Sequence, residues 1–246
     1  MDELDKNDLL LFIASMKEES LSDRTCHNRI ESVTSFLLAH KKICPLGMAI
    51  HNKEVRVKVK YTEKTVKAYT PAELKKLFDA ACHDEWEIFQ FFLCSGFRDA
   101  EVQTICWEDL GADGIVKVHD HPEFEFKPKD AEEREVPLPD YLVKHLEERR
   151  ETGLIFPTEQ GKPNAHFLRG LKRLAERAGF DTTTVELHKF RKTYATLQHR
   201  DGVDARTIQK RLGHSDLSTT LAYLEGEEPR SDRSRKQVNG TFGVFA

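Results

Sequence analysis

At 246 residues and 39% hydrophobic content, the chain is long enough for one large domain or two smaller ones, each with an ordinary core. No stretch approaches the roughly 20 apolar residues of a membrane span, and the start MDELDKND lacks the charged-then-apolar pattern of a secretion signal. A cytoplasmic protein with no membrane partner is therefore expected, and a net charge of −4 argues at first against a polyanionic partner.

Resolved along the chain, the charge reads differently. Residues 20–75 and residues 164–211 each carry eleven Lys/Arg against five Asp/Glu, leaving the acidic excess to the rest. Two basic segments separated by acidic ones suit a protein that touches a polyanion with one surface only.

In chain order, residues 7–18 and 22–41 predict two helices, the second with Ile30, Val33, Phe36 and Leu37 on one face and Arg24, His27 and Arg29 on another. Residues 51–69 alternate Val with Lys or Arg, including Lys58 and Lys60, and predict an extended basic linker or a short exposed strand. A domain boundary belongs there. Thr70-Pro71-Ala72-Glu73 combines a cap, a proline at the first helical position and an acid three residues after the cap, so a helix over 71–81 follows. Residues 84–94 (DEWEIFQFFLC) predict a central core helix ended by Ser95-Gly96, with Arg98 and Glu101 opening the next helix, through Cys106.

Between Gly111 and Pro137 the pattern changes to three short β-like runs, GIVKVH, EFEFKPK and EREVPL, which predict a small antiparallel sheet with Lys127 and Lys129 at the end of its middle strand. Further helices are expected at 140–150, 165–178, 187–200, 204–212 and 218–224. In the second of these Phe167, Leu171, Leu174 and Ala178 share one face, and Gly213 is placed to cap the helix at 204–212 and turn His214 out of it. The five cysteines, Cys26, Cys44, Cys82, Cys94 and Cys106, contain no C-x-x-C pair, so reduced and mostly buried thiols are expected. His119-Asp120-His121 is the nearest approach to a ligand cluster, but with Pro122 behind it the stretch reads as a polar turn, and neither a metal nor a cofactor is expected.

Singly, Arg98, His188 or Tyr223 each has an ordinary structural explanation; as a set, two Arg, one Lys, two His and a Tyr match what phosphoryl transfer from DNA to a protein nucleophile needs. Guanidinium groups at Arg98 and Arg191 fit the nonbridging oxygens of a pentacoordinate phosphorus with paired, charge-assisted hydrogen bonds. A phenol with an ordinary pKa of about 10 needs a base beside it, for which His188 is placed, to serve as nucleophile at Tyr223. Lys129 is the candidate to protonate the leaving deoxyribose oxygen.

These motifs, in this order, resemble the tyrosine recombinase (phage integrase) family. SGFRDAEV resembles its first arginine box, KPKDAEEREVPL its β-hairpin lysine box, LHKFRKTYAT its H-x-x-R box and LGHSDLSTTLAYL its terminal box. The resemblance spans roughly residues 70–224. It implies catalytic roles for Arg98, Lys129, His188, Arg191, His214 and Tyr223, with Glu101 supporting the first box. Asp130 stands where the family has glycine, which keeps Lys127 open as the alternative lysine.

The implied fold is mainly α with a small antiparallel β-sheet: a short helical DNA-clamping domain at 1–60, a linker at 61–69, a catalytic domain at 70–224 and a tail at 225–246, which by itself reads as a frayed terminus and for which the resemblance offers the alternative of docking on a neighbouring protomer. The implied reaction is site-specific recombination through a 3′-phosphotyrosine, needing neither ATP nor metal. Double-stranded DNA and further copies of the chain, up to a tetrameric synapse, are its implied partners. Arg24, Arg29, Lys58, Lys60, Lys127 and Lys192 are the expected DNA contacts. Two alternatives remain at this stage: a relaxing topoisomerase of the same chemistry, and a catalytically silent DNA-binding relative.

Overall fold

The computed structural model describes residues 4–41, 45–50, 56–61, 67–129 and 133–224, so both readings of the tail at 225–246 lie outside the described residues. The chain divides into two compact units, Met1–Thr65 and Val66–Ala246.

In the first unit, helix α1 (Lys6–Glu18) starts from a capping box in which Asp5 accepts from the Asp8 amide and Asp8 accepts from the Asp5 amide. Helix α2 (Asp23–Ala39) starts from Ser22, and α3 (Pro45–Ala49) follows. The sequence does not announce α3, because five residues are too few to show a period. Its Gly47 has a packing reason: a Cβ there would stand 2.2 Å from the Leu37 carbonyl oxygen. Leu9, Leu37, Leu46, Ile50 and Val57 form one core cluster, and Met16, Cys26 and Ile30 another. Phe36, expected on the apolar stripe, is instead 52% exposed and lies against His40, because the buried face of α2 runs through Ile30, Thr34 and Leu37. Residues 56–61 have no regular secondary structure and are tied to α2: Val57 is buried, an imidazole nitrogen of His27 meets the Val59 carbonyl at 2.9 Å, and Arg24 lies over the Tyr61 ring. Arg24, Arg29, Lys58 and Lys60 are exposed.

The second unit opens on α4 (Pro71–Asp79), whose Thr70–Glu73 capping box forms as its sequence predicts. Helix α5 (His83–Ser95) is the apolar centre and packs on α9 (Leu187–Arg200): Phe89 and Phe92 stack on Phe190 at ring-centroid distances of 5.8 and 6.3 Å. Helix α8 (Phe167–Arg177) lays Phe167, Leu171 and Leu174 into the same core, with Ala178 just beyond its end, as their spacing predicts. Helices α6 (Asp99–Thr104), α7 (Asp140–Glu147), α10 (Ala205–Leu212) and α11 (Leu217–Leu221) complete the helical set.

The sheet differs from expectation. Strands β1 (Ile115–Val118) and β2 (Arg134–Pro137) pair antiparallel, Val116 opposite Val136 and Val118 opposite Arg134, but among the described residues there is no middle strand. Pro122 starts a 3₁₀ turn over Pro122–Phe124, Glu125 takes a left-handed φ of 54°, and only an isolated bridge joins His121 to Phe126. Two prolines, Pro122 and Pro128, bracket the run EFEFK, and a residue without an N–H cannot serve a strand ladder. Four of the cysteines lie in described residues, all as free thiols. Cys26 and Cys106 are buried, whereas Cys82 is exposed.

Candidate active site

The ends of two helices, α10 and α5, hold the arginines of the site. The last carbonyls of a helix have no partner within it and carry the negative end of its dipole, so they attract cations. At the end of α10 three successive carbonyls each take one guanidinium: Arg211 O accepts from Arg134 Nε at 2.9 Å, Leu212 O from Arg191 Nη2, and Gly213 O from Arg98 Nη2 at 2.9 Å. The end of α5 contributes a fourth, with Arg191 Nη1 donating to Gly96 O at 2.8 Å.

Both capping glycines are left-handed, and both are needed for space. A Cβ at Gly96 (φ 65°) would meet the Tyr194 ring at 2.8 Å, and one at Gly213 (φ 61°) would meet the Arg134 side chain at 3.1 Å.

One carboxylate serves this group of arginines. Glu101, 3% exposed, accepts from the Arg98 amide at 2.7 Å, from Arg98 Nη1 at 3.0 Å and from Arg134 Nη2. Burial works to raise its pKa, yet the adjoining Arg134 and the Arg98 amide hold it below the usual carboxylate value, so it is ionised at neutral pH. Arg191 is 1% exposed; burial first, then Arg98, bring its pKa down to about 9, which leaves it charged. Three guanidiniums facing one carboxylate leave an unbalanced positive field. The Nε of Arg191 is buried and has no hydrogen-bond partner, a donor that an incoming anionic oxygen can satisfy.

Tyr223 enters this field from the turn after α11, which ends at Leu221, short of the expected helix over 218–224. Its hydroxyl is hydrogen-bonded to His188 Nε2 of the first turn of α9, and its backbone carbonyl accepts from Thr196 Oγ1 at 3.2 Å. The His188 and His214 rings stand edge-on to the phenol, at centroid distances of 5.6 and 5.3 Å. His214, turned out of α10 by Gly213, is buried and pairs through Nδ1 with Thr220 Oγ1 at 2.8 Å. Burial, reinforced by Arg191 and Arg98, lowers its pKa to about 3, so it works as a neutral imidazole. Burial and the same arginines also lower His188. For Tyr223 burial outweighs the arginines and raises the pKa, so the free site holds a phenol hydrogen-bonded to an imidazole whose neutral form is favoured.

Five of the six expected catalytic side chains, Arg98, His188, Arg191, His214 and Tyr223, thus meet in one cluster around Glu101. Lys129 does not join them: it is exposed, and among the described residues no hydrogen bond or ion pair connects it to the cluster. Lys127 is also exposed and lies 3.9 Å from Asp120.

Residues 67–229 match the phage integrase family. The chain belongs to that family. Among its relatives, the tyrosine recombinase XerD of Oceanobacillus iheyensis is 25% identical over 93% of this chain and 80% of its own length. The tyrosine recombinase XerA of Thermococcus kodakarensis is 26% identical over 91% of this chain and 78% of its own. The fold is similar to that of the Tn1549 transposon integrase solved in complex with circular intermediate DNA, with a TM-score of 0.76 at 18% identity, covering 96% of this chain and 86% of that one. As a phage integrase family member related to these enzymes, the chain is a DNA-binding, site-specific tyrosine recombinase that cleaves and rejoins DNA strands. Among the described residues no helix is long and apolar enough to cross a membrane.

Two members of the cluster escape a residue-by-residue reading of the sequence. Arg134 stands in the lysine box and is buried, linking Glu101 to the end of α10 and covering the Phe97 ring at 5.3 Å. The box itself was the available signal. Thr220, fully buried, fixes His214, and nothing in its local sequence marks it. One expected DNA contact is corrected: Lys192 is only 4% exposed, because α9 buries every residue from Phe190 to Thr196 and leaves no face for a surface lysine.

The pKa directions predict a pH profile. A base acts when neutral, and burial with the neighbouring arginines holds His188 below the ordinary histidine value, so single-turnover cleavage at subsaturating enzyme should decline with a midpoint on the acidic side of that value. A midpoint at or above pH 6.5 overturns the assignment of His188 as the base.

Proposed function

We propose that Tyr223 attacks the scissile phosphate from within its own protomer, with His188 as general base. The Tyr223–His188 hydrogen bond inside the arginine cluster carries this reading. As the Tyr223 oxygen bonds to phosphorus, its proton passes to His188 and the bond to the 5′ oxygen breaks, leaving a 3′-phosphotyrosine and a 5′-hydroxyl. Arg98 and Arg191 hold the nonbridging oxygens and His214 donates a further hydrogen bond. A 5′-hydroxyl from a partner strand reverses the step and reseals the DNA, which calls for several protomers on paired DNA sites, up to a tetramer.

The proton for the leaving oxygen is assigned to Lys129, with Lys127 as the competitor. A DNA substrate with sulfur in place of the bridging 5′ oxygen separates the two, because a thiolate leaves without being protonated. Lys129→Ala should cleave ordinary DNA on the order of 10²–10⁴-fold more slowly and recover near wild-type cleavage on the sulfur substrate. Recovery confined to Lys127→Ala moves the role to Lys127. The reading as a whole is tested with nicked suicide DNA, from which the cut fragment escapes and traps the adduct. Mapping that adduct to any residue other than Tyr223, or finding none on DNA the protein binds, overturns it.

A further inference from the structure

Outside the catalytic cluster, the second unit gathers another set of chemistry-bearing side chains. His119 and His121 lie at the exit of β1, and Asp109 closes the 3₁₀ turn Trp107–Asp109. Asp109 Oδ1 lies 2.6 Å from His119 Nε2, and Asp109 Oδ2 lies 3.1 Å from His121 Nε2. Asp109 and His121 are buried, at 4% and 5% exposure, whereas the His119 side chain is 40% exposed and opens one side to water.

The other nitrogens of the two rings decide what this arrangement can hold. His119 Nδ1 meets the Asp120 carbonyl at 2.9 Å, and His121 Nδ1 meets Glu123 Oε1 at 2.9 Å. A carbonyl and a carboxylate only accept hydrogen bonds, so in a neutral imidazole the proton sits on Nδ1 and Nε2 presents a lone pair. Two lone pairs then face a carboxylate, which is repulsive unless a positive charge stands among them. His121 Nε2 is itself buried without a hydrogen-bond partner. An Nδ1–H held by a carboxylate or carbonyl, with Nε2 free, is how metal-binding histidines are oriented.

We propose that Asp109, His119 and His121 bind a zinc-class divalent transition-metal ion, with water from the His119 side as fourth ligand. The three donor atoms already lie within 4.8 Å of one another. A tetrahedral ion with bonds of about 2.0–2.1 Å asks for donors roughly 3.3 Å apart; His121 Nε2 stands 3.1 Å from Asp109 Oδ2, near that spacing, and His119 Nε2, at 2.6 Å from Oδ1, has to move outward to admit the ion.

The ion has a structural task rather than a part in strand transfer. It pins the residues immediately after Val118, which pairs with Arg134, the arginine that holds Glu101. It also fixes the start of the segment that carries Lys127 and Lys129. The sequence conceals the site because Asp109, which completes it, stands ten residues before His119.

The competing state is a pair of protonated imidazoles bridged by Asp109. Although burial opposes it, Asp109 holds His119 above the ordinary histidine value, so that state is physically reasonable. Full-length protein is saturated with Zn(II), dialysed against metal-free buffer at pH 8 and measured for zinc per chain; Co(II) substitution is followed by visible absorption. One zinc per chain and a tetrahedral cobalt spectrum are expected, both lost in His121→Gln and Asp109→Asn. Glu123→Gln, at an exposed side chain that orients His121, should retain the fold and weaken affinity on the order of 10–100-fold. No retained zinc in the wild type, or equal zinc and an unchanged cobalt spectrum in the variants, overturns the site. These readouts do not depend on cleavage, so a failure of the Tyr223 assignment leaves them untouched.

Discussion

Tyr223→Phe should form no covalent adduct on nicked suicide DNA while binding that DNA within a few-fold of wild type. The change removes one oxygen and leaves the ring where it was: its edge-on contacts with His188 and His214 survive, and the Thr196 hydroxyl still donates to the backbone carbonyl of residue 223. Only the nucleophile and its bond to His188 Nε2 disappear. His188→Gln makes the complementary case. The phenol remains but its base does not, and cleavage should fall on the order of 10²–10⁴-fold rather than vanish. Because burial already holds the Tyr223 proton more tightly than in water, raising the pH should restore part of the His188→Gln loss and none of the Tyr223→Phe loss. Adduct formation by Tyr223→Phe at any pH would mean that another residue attacks the phosphate.

The parts of this site that the sequence exposes are those encoded by short-range pattern. H-x-x-R places His188 and Arg191 one helical turn apart on α9, and the Gly213-His214 pair marks a helix end and the residue thrown out of it. What stays hidden is held by contacts between distant segments. That the three carbonyls closing α10 each receive an arginine, from residues 98, 134 and 191, follows from packing and not from any local motif. The fate of Lys192 has the same origin. It adjoins Arg191 in a basic stretch, yet the middle of α9 is buried from Phe190 to Thr196, so its charge says nothing about exposure. The missing middle strand is an instructive failure of periodicity: EFEFK alternates as a strand should, but Pro122 and Pro128 deny it a ladder, and the backbone closes into a turn.

Arg191→Lys should lower the cleavage rate on the order of 10²–10³-fold with DNA affinity changed little, measured by single-turnover cleavage at saturating protein. The substitution keeps a positive charge and removes the fork. In the native site the two terminal nitrogens of Arg191 are spent on Gly96 O and Leu212 O, which lock the guanidinium plane, and Nε is left as an unpaired donor. A lysine ammonium cannot bridge two carbonyls from different helices and also present a donor in a fixed direction. Either a carbonyl is left unsatisfied in a buried place or the charge is drawn away from the phosphate, and the oxygens of the pentacoordinate state lose a preorganised partner in both cases. Affinity should hold because ground-state binding draws on many phosphate contacts, for which the exposed Arg24, Arg29, Lys58 and Lys60 are proposed, whereas the fixed Nε donor is asked for most when the phosphorus becomes pentacoordinate. Thermal unfolding of the variant separates the two costs. A fold that melts near wild type with a rate reduced by two orders of magnitude places the loss in transition-state contacts. A variant that cleaves at the wild-type rate would show that charge alone suffices at this position and that the geometry of the α5 and α10 ends is incidental.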